Sequence, residues 1–123
     1  MAKFKGSNPF KIPRPLAFPN GWNAETLAGT KTLTLGDSIF QALDPGGSGR
    51  NVVLPSGFTK GRFYFIANHA DAAEDLTVQQ PDASTTAATI SQNEMAILYA
   101  ADDIAASATS GWAIFFISTG SIS

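Results

Sequence analysis

From Lys31 onward, apolar and polar positions alternate with a period of two, and Gly, Pro, Asp or Asn interrupts the pattern every few residues. Leu33 and Leu35 alternate with Thr32 and Thr34, the pattern of a strand with one face in a core. Gly36-Asp37 ends it, and Ser38–Leu43 (SIFQAL) reads as the next strand. Asp44–Gly49 (DPGGSG) reads as a turn, since proline presets φ and glycine reaches positive φ. Arg50–Leu54 stops at Pro55-Ser56-Gly57. Strands are then expected over Gly61–Asn68, Leu76–Gln80, Ala87–Ile90, Glu94–Tyr99 and Trp112–Ser118. His69–Asp75 and Ala100–Ser110 read as loops, the second with room for a short helical turn. Asn23–Thr30 is too short to assign and reads as a loop or a single helical turn. About eight short strands with turn signals between them predict an all-β domain. The expected form is an antiparallel β-sandwich, jelly-roll-like. Neither an internal repeat nor a heptad is visible.

Two strands break the alternation. Phe63–Ile66 and Trp112–Ile117 are apolar on both faces. In a two-layer sandwich each strand keeps one wet face, so these need a third layer. A neighbouring subunit, the chain's own arm or covering loops would supply it. Subunit packing is the preferred reading, with Phe63, Tyr64, Phe65, Trp112, Phe115 and Phe116 as the candidate interface.

The first 22 residues are a different material. Met1–Trp22 carries Lys3, Lys5, Lys11 and Arg14 and no acid, a charge of +4, whereas the remainder sets four basic residues against ten carboxylates, −6. Pro9, Pro13, Pro15 and Pro19 exclude a helix or a central strand, because proline fixes φ and lacks a donor. Phe4, Phe10, Ile12, Leu16, Phe18 and Trp22 make the segment too apolar for a solvated tail. The division is an extended basic arm, residues 1–22, and a β domain, residues 23–123. In polyproline geometry the arm could span on the order of 60 Å, enough to reach a neighbouring subunit. Its apolar residues together with Arg14 are the candidate binding elements.

Composition narrows the chemistry. Charged residues are 15% of the chain, below the ordinary ~25%, as expected where a partner covers part of the surface. With no cysteine, disulfides and thiolate metal sites are excluded. No apolar run approaches the roughly 18–20 residues that span a bilayer, and the first residues do not read as a cleavable leader. The net charge of −2 gives no case for nucleic acid. His69 is the only histidine, so any Ser-His-Asp arrangement would have to use it. It reads as a loop residue. Asp71, Glu74 and Asp75 offer oxygens to a hard cation, but without EF-hand spacing they read as a solvated loop, as do Asp102 and Asp103. Gly46–Arg50 lacks the lysine and the helix of a phosphate loop. The expectation is a non-enzymatic protein without cofactor or metal.

The run Gln41–Pro55, then Gly61 with Phe63–Asn68, Leu76–Val78, Glu94–Tyr99 and Gly111-Trp112 resembles small β-rich virion proteins of tailed bacteriophages. Some of these are capsid decoration (cement) proteins, and related patterns occur in fibre and tail modules. The resemblance spans about residues 33–118 and carries no catalytic residues. It implies a protein made in the host cytoplasm and placed on the outer virion surface. It further implies a homotrimer that stabilises the shell by binding across neighbouring major capsid protein subunits, with the arm as clamp. No nucleic acid or membrane partner is implied. The alternative is a β-sandwich module of a fibre or tail that binds a host surface glycan.

Overall fold

A computed structural model of the chain describes residues 21–118. The arm positions Phe4, Phe10, Ile12, Arg14, Leu16 and Phe18 lie outside the described residues. Among the described residues there are nine strands and no helix: β1 (Trp22–Thr26), β2 (Lys31–Thr32), β3 (Phe40–Asp44), β4 (Arg50–Val53), β5 (Phe63–Asn68), β6 (Leu76–Gln79), β7 (Thr86–Ile90), β8 (Met95–Ala100) and β9 (Trp112–Ile117). The all-β expectation holds, with nine strands in place of about eight. Seven coincide with alternating runs, whereas β2 ends at Thr32, short of the Leu33 and Leu35 that marked it, and β1 lies at the segment read as a loop or helical turn. Trp22, assigned to the arm by composition, opens this strand.

The connectivity differs from the expected antiparallel order. The strands form a five-stranded sheet, β1-β3-β5-β8-β9, and a four-stranded sheet, β2-β4-β6-β7. From β1 to β6 the chain crosses between the sheets at every step. Neighbours within each sheet therefore run parallel: β1 with β3, β3 with β5, β2 with β4, and β4 with β6. Only the last third reverses direction, with β7 antiparallel to β6, β8 to β5 and β9 to β8. Two mixed sheets replace the jelly roll. A parallel neighbour needs a long crossover, and here each crossover contains a strand of the other sheet.

This coil is a structural repeat hidden from the sequence. Trp22, Phe40 and Phe65 share one register row, and Ala24, Ala42 and Ala67 another. The steps between rows are unequal, 40 − 22 = 18 and 65 − 40 = 25 residues, so no fixed period appears.

Both sheets contribute to one core. Leu43, Tyr64, Ile66, Ala96 and Leu98 meet Val52, Leu76, Val78, Ala88 and Ile90. Trp112 packs on Tyr64 at 5.4 Å between ring centroids, and its indole N–H donates to the Pro55 carbonyl at 2.9 Å. The side chain of Gln80 clasps the Trp112 backbone, donating to its carbonyl and accepting from its N–H. Asn68 is buried at the end of β5. Its amide donates to the carbonyls of Glu74 and Ile90, and its oxygen accepts from the Ala70 N–H. Among the described residues every buried side-chain nitrogen or oxygen has a partner, as a stable interior requires.

The Tyr64 hydroxyl donates to the Thr34 carbonyl at 2.9 Å. Burial pushes its phenol from 10.0 up to about 12, the Asp37 carboxylate adding to the shift and Arg62 opposing it. The fold thus holds the neutral phenol, whereas the unfolded chain ionises near 10. The contribution is complete below pH 10 and is lost as pH rises through 12. Tyr64→Phe should lack this alkaline loss and be less stable at neutral pH by about 1 kcal/mol. Urea midpoints measured on both proteins across the alkaline range would check both statements.

Candidate interaction surface

Strand alternation sends every second side chain of the five-stranded sheet away from the core. In β5, Tyr64 and Ile66 point into the core, so Phe63 and Phe65 face outward, exposed and partly exposed, while Ala67 and Asn68 are buried at the strand's end. In β8, Ala96, Leu98 and Ala100 are buried, and Met95, Ile97 and Tyr99 face outward. Register aligns Trp22, Phe40, Phe65, Ile97 and Phe116 in one row across all five strands. A second row holds Phe63, Tyr99 and Ala113. The alanines Ala24, Ala42 and Ala67 lie opposite Met95 in a third.

Between Ile97 and Leu98 the register with β9 slips, leaving Phe115 as the extra residue. Such a bulge re-aims a side chain. Here the Phe115 ring meets Phe63 at 6.1 Å and Tyr99 at 6.4 Å, both edge to face. Phe40 stacks on Phe65 at 6.0 Å and receives Trp22 edge-on at 6.2 Å. The outer face thus carries two groups of packed rings, Trp22 with Phe40 and Phe65, and Phe63 with Tyr99 and Phe115. Its water-exposed members are Trp22 (64%), Phe63 (39%), Phe115 (66%) and Phe116 (48%). Among the described residues, charge enters this face at one rim, where Asp44 pairs in register with Thr26 and Glu25 borders the same end.

Of the six positions expected at a subunit interface, Phe63, Phe65, Phe115 and Phe116 lie on this face. Tyr64 and Trp112 are buried in the core and offer a neighbour almost no surface. Alternation along the strand turns them inward. Phe40, Ile97 and Tyr99 belong to the face and were not singled out from the sequence. Strand β8 (MAILYA) is itself apolar on both faces and carried the same signal for Ile97 and Tyr99, whereas Phe40 is the single ring of a mixed strand (FQALD).

The remaining candidates are placed as follows. His69 borders a depression of about 320 Å³ at the β1–β3 end of the face, with Trp22, Ala24, Glu25, Thr26, Ala42 and Asp44. Asp71 and Glu74 converge with Asp44 rather than with Asp75, their nearest oxygens all within 4.8 Å. Asp44 and Glu74 already accept the N–H groups of Gly46 and Gly47, bracing the glycine turn. Glu25 accepts from Lys31 at 2.7 Å, and that bond, with help from Asn23, holds its carboxyl below the usual range. The pair links β1 to β2 on an exposed surface, where such bridges contribute about 0–1 kcal/mol. Asp102 and Asp103 are exposed, and Asp103 caps the Lys60 N–H. In comparison with known proteins, no protein-family model matches the chain, and no curated protein matches it.

Proposed function

We propose that this chain is a structural virion protein of a tailed bacteriophage. In this reading it decorates the outer capsid surface, binds across neighbouring major capsid subunits and stabilises the shell, with the basic arm as clamp. The virion assignment is drawn from the resemblance over residues 33–118. The single observation that supports an assembly role is the outer face of the five-stranded sheet. Contiguous apolar surface of that extent marks a contact surface rather than a solvated one. A protein that binds only the assembled shell favours the shell by mass action, and many copies make modest single-site affinity sufficient.

The arm separates this reading from others. In co-sedimentation with capsids of the parent phage, replacing Phe10 and Phe18 with Ala should weaken attachment more than replacing Lys3 and Lys5. Apolar anchors outweigh rim charges at such contacts. An attachment unchanged by the Phe replacements would contradict the clamp.

One observation favours a second reading, a fibre or tail module that binds a host glycan. The exposed Trp22 ring lies in the same depression as Glu25, Asp44 and His69. An aromatic plane beside carboxylates suits the apolar face and the hydroxyls of a sugar. That reading predicts glycan binding that the Phe10 and Phe18 replacements leave intact.

A further inference from the structure

We infer that residues 14–18 of the arm fold back on the chain's own body and pair antiparallel with the open edge of β1, as a further edge strand of the five-stranded sheet. The inference goes beyond the assembly reading and does not rest on it.

The open edge offers the bonds. Among the described residues β1 has one strand neighbour, β3, and its other side carries no strand. The Leu27 N–H donates to the Asp44 carbonyl at 2.8 Å, so at odd positions the backbone groups turn toward β3. Bond direction alternates along a strand, and those of Trp22, Ala24 and Thr26 therefore point to the open side. An edge of this kind is a template for pairing.

The residues before β1 supply a turn onto that edge. Phe18-Pro19-Asn20-Gly21 runs directly into Trp22. Proline presets the first central position of a type I turn, and glycine is favoured at its last. Gly21 has a φ of 65°, the left-handed conformation that closes a three-residue hairpin loop. This hairpin sets Phe18 opposite Trp22, Leu16 opposite Ala24 and Arg14 opposite Thr26. These are the three β1 residues whose backbone groups point to the open side.

The prolines agree with this register. Arg14, Leu16 and Phe18 turn their N–H groups toward β1, while Pro15, like Pro13 before it, falls on an outward position where no donor is needed. Proline is excluded from central strands but is tolerated on an edge whose nitrogen faces solvent, where it also blocks further pairing. Opposed residues share a face, so Phe18 continues the row of Trp22, Phe40 and Phe65. Arg14 falls beside Thr26, whose register partner is Asp44. Asp44, Asp71 and Glu74 converge there within 4.8 Å, and the one ion pair among the described residues is Lys31 with Glu25. Arg14 thus brings a cation to the acidic rim. Residues 1–11, with Lys3, Lys5 and Lys11, are left to reach a partner.

Backbone amide exchange of the full chain, read residue by residue by NMR in dilute solution without shells, tests the pairing. The N–H groups of Arg14, Leu16, Phe18, Ala24 and Thr26 should exchange at least about tenfold more slowly than in an unstructured peptide, while that of Ala17 exchanges freely. Leu16→Pro removes a donor aimed at β1 and should return Ala24 and Thr26 to near the unstructured rate. Ala17→Pro places the same ring at an outward position and should leave both protected. Free exchange at all five amides overturns the inference, as does equal loss of protection in the two proline variants. Protection that vanishes on dilution also overturns it, because another chain would then hold the edge. Capsid co-sedimentation is a separate readout. Attachment by a chain whose five amides exchange freely would count against this inference alone, and protected amides without attachment would count against the virion reading alone.

Discussion

Trp112→Ala should cost about 3–5 kcal/mol, the largest loss expected from any single replacement in the body. Three consequences combine. The indole leaves a cavity against Tyr64 between the sheets, where the rings sit 5.4 Å apart. The Pro55 carbonyl loses the donor that now reaches it at 2.9 Å. The clasp of Gln80 on the Trp112 backbone then holds a strand end with nothing packed beneath it. Domains of this size are stable by only about 5–15 kcal/mol, so the variant should lose a large share of that margin. Trp112→Phe refills much of the cavity and forfeits the indole bond, and its loss should be the smaller. Guanidinium midpoints for the three proteins order these cases. A Trp112→Ala midpoint close to that of the parent would mean that the β9 end of the core is not packed as described.

Asn68→Leu ranks second, at about 3–4 kcal/mol, because one side chain there satisfies three backbone groups. The Glu74 and Ile90 carbonyls and the Ala70 N–H would all lose their partner in a dry site. Each buried orphan costs about 1–3 kcal/mol before any relaxation. Asn68→Asp separates this explanation from lost volume. The carboxylate keeps the acceptor for Ala70 but faces two carbonyl oxygens with negative charge, which raises its folded-state pKa. A group so shifted adds stability below its unfolded pKa and loses it as pH rises. The Asp variant should therefore be nearer to the parent in mild acid than at neutral pH, whereas the Leu variant should show no such trend. Denaturant melts at two pH values read the difference, and parallel behaviour of the two variants would contradict the three-bond account.

What could be read in the sequence follows from what strand alternation encodes. A period of two marks where strands lie, and it marked seven of nine, with β2 displaced toward Lys31 from the Leu33–Leu35 run that suggested it. Trp22–Thr26 was missed because Asn23 and Glu25 occupy the positions where a sandwich strand would place apolar residues. It is a strand because β3 lies alongside it, with Asn23 donating to the buried Gln41 across the register. Alternation carries no direction, so short apolar runs with turns between them looked like hairpins when they were arches between two sheets. The interaction surface was legible where it broke the pattern. Strands β5 and β9 are apolar on both faces, and that excess identified Phe63, Phe65, Phe115 and Phe116. It also swept in Tyr64 and Trp112, since a strand apolar on both sides does not reveal which side faces inward. Asn68 and Gln80 gave no sign of their importance, because their partners are backbone groups from distant segments.

The account turns on the outer face being covered in the working protein. Residue-resolved oxidative footprinting of the full chain, at a concentration where it is assembled, reads that coverage directly. The rings of Phe63 and Phe115 should be protected, while Phe58 stays as reactive as its exposure implies. Equal oxidation of all three rings would mean that the face meets water, and would contradict its role as an assembly surface.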